Sequence, residues 1–259
     1  MAIKIAVTNA KGGVAKSTTA INIADALMYI GYKVLFIDLD PQANSTSVYR
    51  GTITREAKEK TLFDLFEGKS KIKSCIQHTE FGDIVAGDAR LSTLDSVYLT
   101  KVGGVKILKK ALKDIENDYD FIIMDTPPNV GSFMRNAIYS ATGVIVPVTP
   151  KKFAMDGLNT LIDTVNEIKE DGNENLKIYG IVLTMYDKRY AQDREILKEL
   201  PALGEALAIH IFKKPIRLSQ KIETSLSECK SLFRTAGSSN GANDYVELVK
   251  ELLSKIEAE

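Results

Sequence analysis

Cysteine and histidine are scarce in this chain. Its 259 residues include two cysteines, Cys75 and Cys229, and two histidines, His78 and His210. The cysteines lie far apart and in no redox or zinc-ligand spacing, which excludes a disulfide framework and leaves two thiols in a reducing compartment. Neither histidine has an Asp, Cys or His at ligand spacing, so a metal or acid–base role is not expected of it. A surplus of one charge is also missing, because 34 Lys and Arg balance 34 Asp and Glu. No global field advertises nucleic acid or a membrane surface, and binding to either must come from a local patch. No apolar run reaches the length of a bilayer-spanning helix. The first residues run into an apolar strand without the basic region and cleavage site of a secretory leader. A cytoplasmic protein is expected. Internal repeats and low-complexity tracts are absent too, so a single domain over 1–259 is expected, long enough to bury a core without staples.

Short apolar runs alternate with helical patterns. Strands are expected at 3–8, 33–39, 83–86, 121–125, 144–149, 178–184 and 207–212. They are almost continuously apolar, as befits parallel strands covered on both faces. Helices are expected at 16–30, 104–117, 133–141, 155–169 and 189–200. The polar, turn-rich segment 50–79 reads as a surface excursion with a short helix around "TLFDLFEG". Such alternation predicts an α/β fold, a doubly wound and mostly parallel sheet flanked by helices. Sheets of this kind bind ligands at the carboxyl ends of their strands.

The residues that carry chemistry fall at those ends. Between the first strand and the first helix stands "KGGVAKST", Lys11, Gly12, Gly13, Val14, Ala15, Lys16, Ser17 and Thr18. A row of backbone N–H groups and a helix N-terminus there would attract phosphate. Lys16 would reach the β- and γ-phosphates, and the Ser17 hydroxyl would ligate Mg²⁺. Gly12 and Gly13 supply backbone freedom at the tip. Ala15 stands where a P-loop carries its second glycine, at little cost if its φ stays negative. After the second strand come Asp38 and Asp40, whose alternate positions aim both carboxylates at one site unless they cap the next turn. Asp125 closes the apolar run "YDFIIMD", as an acid holding Mg²⁺ through a water would. No guanine-reading N-K-x-D motif is present, which leaves adenine as the expected base.

"KGGVAKST" resembles the deviant Walker A box, K-G-G-x-G/A-K-S/T, of the ParA/MinD group of P-loop ATPases. "DLDPQAN" and "DTPPNVG" are similar to that group's two switch segments, with Asn129-Val130 where Ser-Leu is usual. The resemblance implies ATP or ADP with Mg²⁺ as ligands and a nucleotide-sandwich homodimer when ATP is bound. It makes Lys11 the signature lysine that reaches the other subunit's phosphates. It makes Lys11, Lys16 and Asp40 the catalytic residues, Asp40 handling the attacking water, with Asp38 supporting the Mg²⁺ shell. "LTMYDKR" and "FKKPIRLS" resemble the segments flanking the base, which makes Met185 and Pro215 candidate base contacts. Arg189 and Arg217 fall where the ParA/Soj branch carries DNA-contacting arginines. That branch implies non-specific DNA and a ParB-type centromere-binding partner, with plasmid, chromosome or protein assembly all open as cargo.

Membrane binding in the manner of MinD is the competing expectation. The last helical stripe, Tyr245, Leu248, Val249, Leu252 and Ile256, has an acidic-leaning polar face, whereas a membrane-surface helix should be basic there. That stripe is expected to pack on the sheet. No helix-turn-helix domain like that of the larger partition ATPases is expected before the first strand. Nitrogenase reductase shares the loop, but Cys75 and Cys229 are not in its cluster-ligand segments.

Overall fold

A computed structural model describes residues 1–51, 59–150 and 155–258. In chain order the elements are β1 (Ile3–Val7), α1 (Lys16–Tyr29), β2 (Val34–Asp38), α2 (Asn44–Arg50), α3 (Leu62–Phe66), β3 (Ile76–His78), β4 (Asp83–Val85), α4 (Asp95–Thr100), α5 (Ile107–Leu112), β5 (Phe121–Asp125), α6 (Ser132–Ser140), β6 (Gly143–Val148), α7 (Met155–Glu170), β7 (Lys177–Leu183), α8 (Ala191–Leu207), α9 (Gln220–Ser227), α10 (Leu232–Ala236) and α11 (Asn240–Glu257). The seven strands form one sheet in the order β3-β4-β2-β5-β1-β6-β7. Every pairing is parallel except that of β3 on β4.

The continuous apolar runs explain this arrangement. In β2, β5 and β6 every residue is buried, because helices cover both faces of the sheet. Successive side chains alternate between two cores. Ala6, Leu35, Ile37, Ile122 and Met124 meet α3 to α8, whereas Ile5, Phe36, Ile123 and Ile145 meet α1, α2 and α9 to α11. Tyr245, Leu248, Val249 and Leu252 of α11 are all buried in the second core, against α1. The stripe of the last helix thus faces the protein. No helix among the described residues is long and apolar enough to cross a membrane.

Four expectations need correction. The run 207–212 is not a strand: α8 continues through Pro201 to Leu207, and beyond it only Ile211 bridges to Ile181. Helix 104–117 is shorter than its pattern, a 3-10 turn at Gly104–Lys106 leading into the six residues of α5. The helix in 50–79 is no surface excursion, because Leu62, Leu65 and Phe66 of α3 enter the first core. Residues 76–78 of the same segment add the antiparallel edge strand β3. Of that segment, 52–58 lie outside the described residues.

Candidate nucleotide site

β1 lies between β5 and β6, so the loop that leaves it opens at the carboxyl ends of three neighbouring strands. Asn9 shapes that loop, its Nδ2 donating to the Pro147 carbonyl at 2.8 Å while its Oδ1 accepts from the Lys11 N–H at 3.0 Å. Thr184, just past β7, donates to the Val14 carbonyl at 3.2 Å. Gly12 and Gly13 are exposed at the tip, Gly13 with a φ of 69°. Lys16 is buried, and its Nζ donates to the Lys11 carbonyl at 2.7 Å across the loop. The aliphatic stem of Lys11 lies against Gly157 in the first turns of α7. α1 starts without a side-chain cap and without an acid in its first turn. Its amino end is therefore suited to an anion.

Ala15 departs from expectation. Its φ is 60° and its ψ 35°, the left-handed region, because the chain must reverse there to enter α1. A side chain in that region costs roughly 1–2 kcal/mol, partly offset by the restriction alanine places on the unfolded chain. Ala15→Gly is accordingly expected to stabilise the protein by up to about 1 kcal/mol in urea titration. A destabilised variant would show that the backbone there is unstrained.

The carboxylates converge as the strand ends require. Asp38 and Asp125 are register partners on adjacent strands, and both are completely buried. Asp38 Oδ2 accepts from the Thr46 N–H at 2.8 Å and the Thr46 hydroxyl at 2.7 Å, and its Oδ1 accepts from the Asp40 N–H at 3.1 Å. Asp125 Oδ2 accepts from the Ser45 hydroxyl at 2.7 Å, while its Oδ1 is buried without a hydrogen-bond partner. Asp40 turns one oxygen to its own loop, accepting from the Gln42 N–H at 2.9 Å. Burial raises the pKa of Asp38, and the charge of Asp125 raises it further. Burial also raises Asp125, with Asp40 adding to it and Ser45, Ser17 and the Lys16 ammonium opposing. One oxygen of Asp125 thus awaits a donor or a cation, with Ser17 and Lys16 beside it.

A pH dependence follows from those two raised values. The pair stabilises the folded state fully below the ordinary carboxylate range near about 3.9, and that contribution is lost as pH rises through the raised folded values. In nucleotide-free protein, Asp38→Asn should therefore gain melting temperature relative to the parent chain between pH 5 and pH 8. Parallel pH profiles for the two proteins would contradict the raised values.

The expected base and DNA contacts meet at one edge. Tyr186 bridges to Arg217, which sets Met185 beside Ile216, with Arg189 three residues beyond Tyr186 along the chain. Met185 has a φ of 54° and lines a cavity of about 80 Å³ with Ala15, Thr18, Arg217 and Tyr245. Pro215 is not in that lining. The cavity is smaller than ordinary ligand sites, so a base requires its walls to part. Arg217 forks onto Asp244, Nε at 2.8 Å and Nη2 at 2.7 Å, and Asp244 is fully buried. Arg189, which is exposed, folds back on Asp187 with contacts of 2.5 and 3.0 Å. Both guanidinium groups are thus already paired with carboxylates. His78 and His210 pair likewise with Asp83 and Glu251, and no metal-binding cluster of His, Cys, Asp and Glu occurs among the described residues.

Residues 2–178 match a family model described as an AAA domain. The sporulation initiation inhibitor protein Soj of Bacillus subtilis is 31% identical over 250 residues, 96% of this chain and 97% of that one. The chain belongs to the ParA/Soj family. The chromosome partitioning protein ParA of Caulobacter vibrioides is 32% identical over 97% of this chain and 94% of its own. Among solved structures, cobyrinic acid a,c-diamide synthase of Mycobacterium smegmatis, with bound ADP and magnesium, superposes with a TM-score of 0.84 at 27% identity, covering 100% of this chain and 96% of that one. The ParA/Soj assignment accords with the loop, the two strand-end acids and the sheet order found here.

Several residues of this ParA/Soj site escaped sequence reasoning. Ser45 and Thr46 stand just after "DPQAN" and hold the two buried carboxylates, yet they read as ordinary helix-starting residues. Asp95 of α4 holds the segment after Asp125: its Oδ1 accepts from the Ser132 N–H and hydroxyl, both at 2.7 Å, and its Oδ2 from Asn129 Nδ2 at 3.2 Å. A Cβ on Gly131 would come within 2.4 Å of that carboxylate, so glycine alone permits the approach. No spacing in the sequence connects Asp95 to that segment.

Proposed function

We propose that this protein is an ATP-hydrolysing partition switch. In this reading two subunits clasp two ATP molecules between their P-loops, and the dimer holds DNA without sequence preference. Hydrolysis, accelerated by a ParB-type partner, dissolves the dimer and ends its ATP-dependent hold on DNA. The observation that carries the reading is the meeting of Lys16, Ser17, Asp38, Asp40 and Asp125 at the carboxyl ends of β1, β2 and β5, with a second lysine at the loop mouth.

The roles divide by position. Lys16 and the N–H groups of Gly12 to Thr18 hold the phosphates. Mg²⁺ suits the unpartnered Asp125 oxygen beside the Ser17 hydroxyl, with Asp38 behind it, and it supplies charge neutralisation at the phosphates when bound. Asp40 holds and orients the attacking water. Lys11 is placed to serve the other subunit, where a cation stabilises charge developing on the transferred phosphoryl group. Met185 and Pro215 flank the base, and Arg189 and Arg217 form the DNA edge once partners draw them from Asp187 and Asp244. Thr184, Ile216 and Arg217 tie that edge to the loop.

Binding to non-specific duplex DNA, measured with ATP, ADP or no nucleotide over a salt titration, tests the proposal. The expected result is a component that requires ATP and weakens steeply with salt. Equal binding in all three states would sink it.

A further inference from the structure

We propose that a lysine-rich face at the amino ends of the strands is a second contact surface for the phosphate backbone of duplex DNA, one that works without nucleotide. In a chain with no net charge, residues 96–113 contain five lysines and no Asp, Glu or Arg. They form α4, the following turn and α5. Lys109 and Lys110 lie in α5, with Lys106 at the end of the 3-10 turn that leads into it and Lys113 just past its last residue.

Beside this cluster opens a cavity of about 510 Å³, lined by Lys4, Lys109, Lys113 and Lys177 together with Glu116 and Thr142. Glu116 is already paired with Lys4 at 2.8 Å. Burial lowers the pKa of the Lys109 ammonium, and Lys106, Lys113 and Lys4 lower it further, so several cations face one place. Lys106 is held by Asp171 at 2.9 Å, and Lys109 donates to the Gly172 carbonyl at 2.7 Å. Among the described residues Lys110 and Lys113 are exposed and have no carboxylate within ion-pair distance. The contrast with Arg189 and Arg217, both already forked onto carboxylates, is direct.

The place and the residue type identify the ligand. Ile3 and Lys177, the first residues of β1 and β7, line the cavity, which puts it at the opposite end of the sheet from Lys16. Contact there does not depend on what fills the P-loop, so this surface goes beyond the ATP-gated reading above. Lysine presents a mobile point charge and no planar fork, which suits phosphate contact without reading of bases.

The test is binding of nucleotide-free protein to labelled non-specific duplex DNA over a salt titration, beside Lys110→Gln/Lys113→Gln and Lys110→Arg/Lys113→Arg. The parent chain should bind weakly, and the glutamine pair should bind about tenfold more weakly at low salt. Its log–log salt slope should be smaller by about 2, near 0.9 for each phosphate that is no longer neutralised. The arginine pair should retain the parent slope. Three outcomes would overturn the proposal: no binding without nucleotide at the lowest salt, an unchanged slope in the glutamine pair, or equal loss in the arginine pair. Inorganic triphosphate protecting the parent chain but not the glutamine pair against heat, with DNA unbound, would identify a small-anion cavity and reject DNA. Failure of the ATP-dependent component alone would count against the partition reading and leave this one standing.

Discussion

Lys16→Ala is expected to lose ATP binding by at least about a hundredfold in calorimetric titration. The Lys16 ammonium is buried, with 7% of the residue exposed, and is held across the loop by the Lys11 carbonyl. It is therefore already desolvated and aimed before any ligand arrives. Charge-assisted hydrogen bonds are each worth about 1.5–3 kcal/mol, and two phosphate contacts exceed the roughly 2.7 kcal/mol that a hundredfold requires. The same change strips Asp125 of a neighbouring cation that favours its charged form. Binding of ATP to Lys16→Ala at parental affinity would place the phosphates elsewhere.

Asp40→Ala is expected to bind ATP normally and to hydrolyse it about 100- to 1,000-fold more slowly, within the range for losing a proton-handling or water-orienting group. Asp40 sits at the end of the β2 segment, almost buried, and its charge is felt by Asp125. It is thus close to the phosphate loop without being fixed by strand pairing, as Asp38 is. Single-turnover hydrolysis separates the two assignments. Should Asp40→Ala turn over at the parental rate while Asp38→Ala stops, the attacking water belongs to Asp38. In the partition reading, the slow Asp40 variant also stays on DNA after ATP is added.

The parts of this molecule legible in its sequence are those built from local signals. β1, the phosphate loop and α1 follow one another within thirty residues, and the runs before Asp38 and Asp125 are continuous and apolar because both sheet faces are covered. What escaped depends on pairings between distant segments. Asp244 claims Arg217 from 27 residues away, and Asp95 claims Ser132 from 37. The five residues of α3 are too few to display a helical period, so their burial could not be read from pattern. Residues 207–212 have strand-like composition, yet α8 consumes the start of the run and one bridge at Ile211 is all the pairing that follows. Ala15 illustrates a third cause. Its residue type favours negative φ, and the turn into α1 overrides that preference.

The packing of α11 on α1 sets an order on biosynthesis. The phosphate loop is translated before most of its sheet, since β1 pairs with β5 and β6, both made much later. Tyr245, Leu248, Val249 and Leu252, which cover the back of α1, come later still. Domains generally complete their packing only when such distant partners are present. A nascent chain therefore displays its nucleotide motif long before it has a nucleotide site, and competence for ligand waits until α11 can pack on α1.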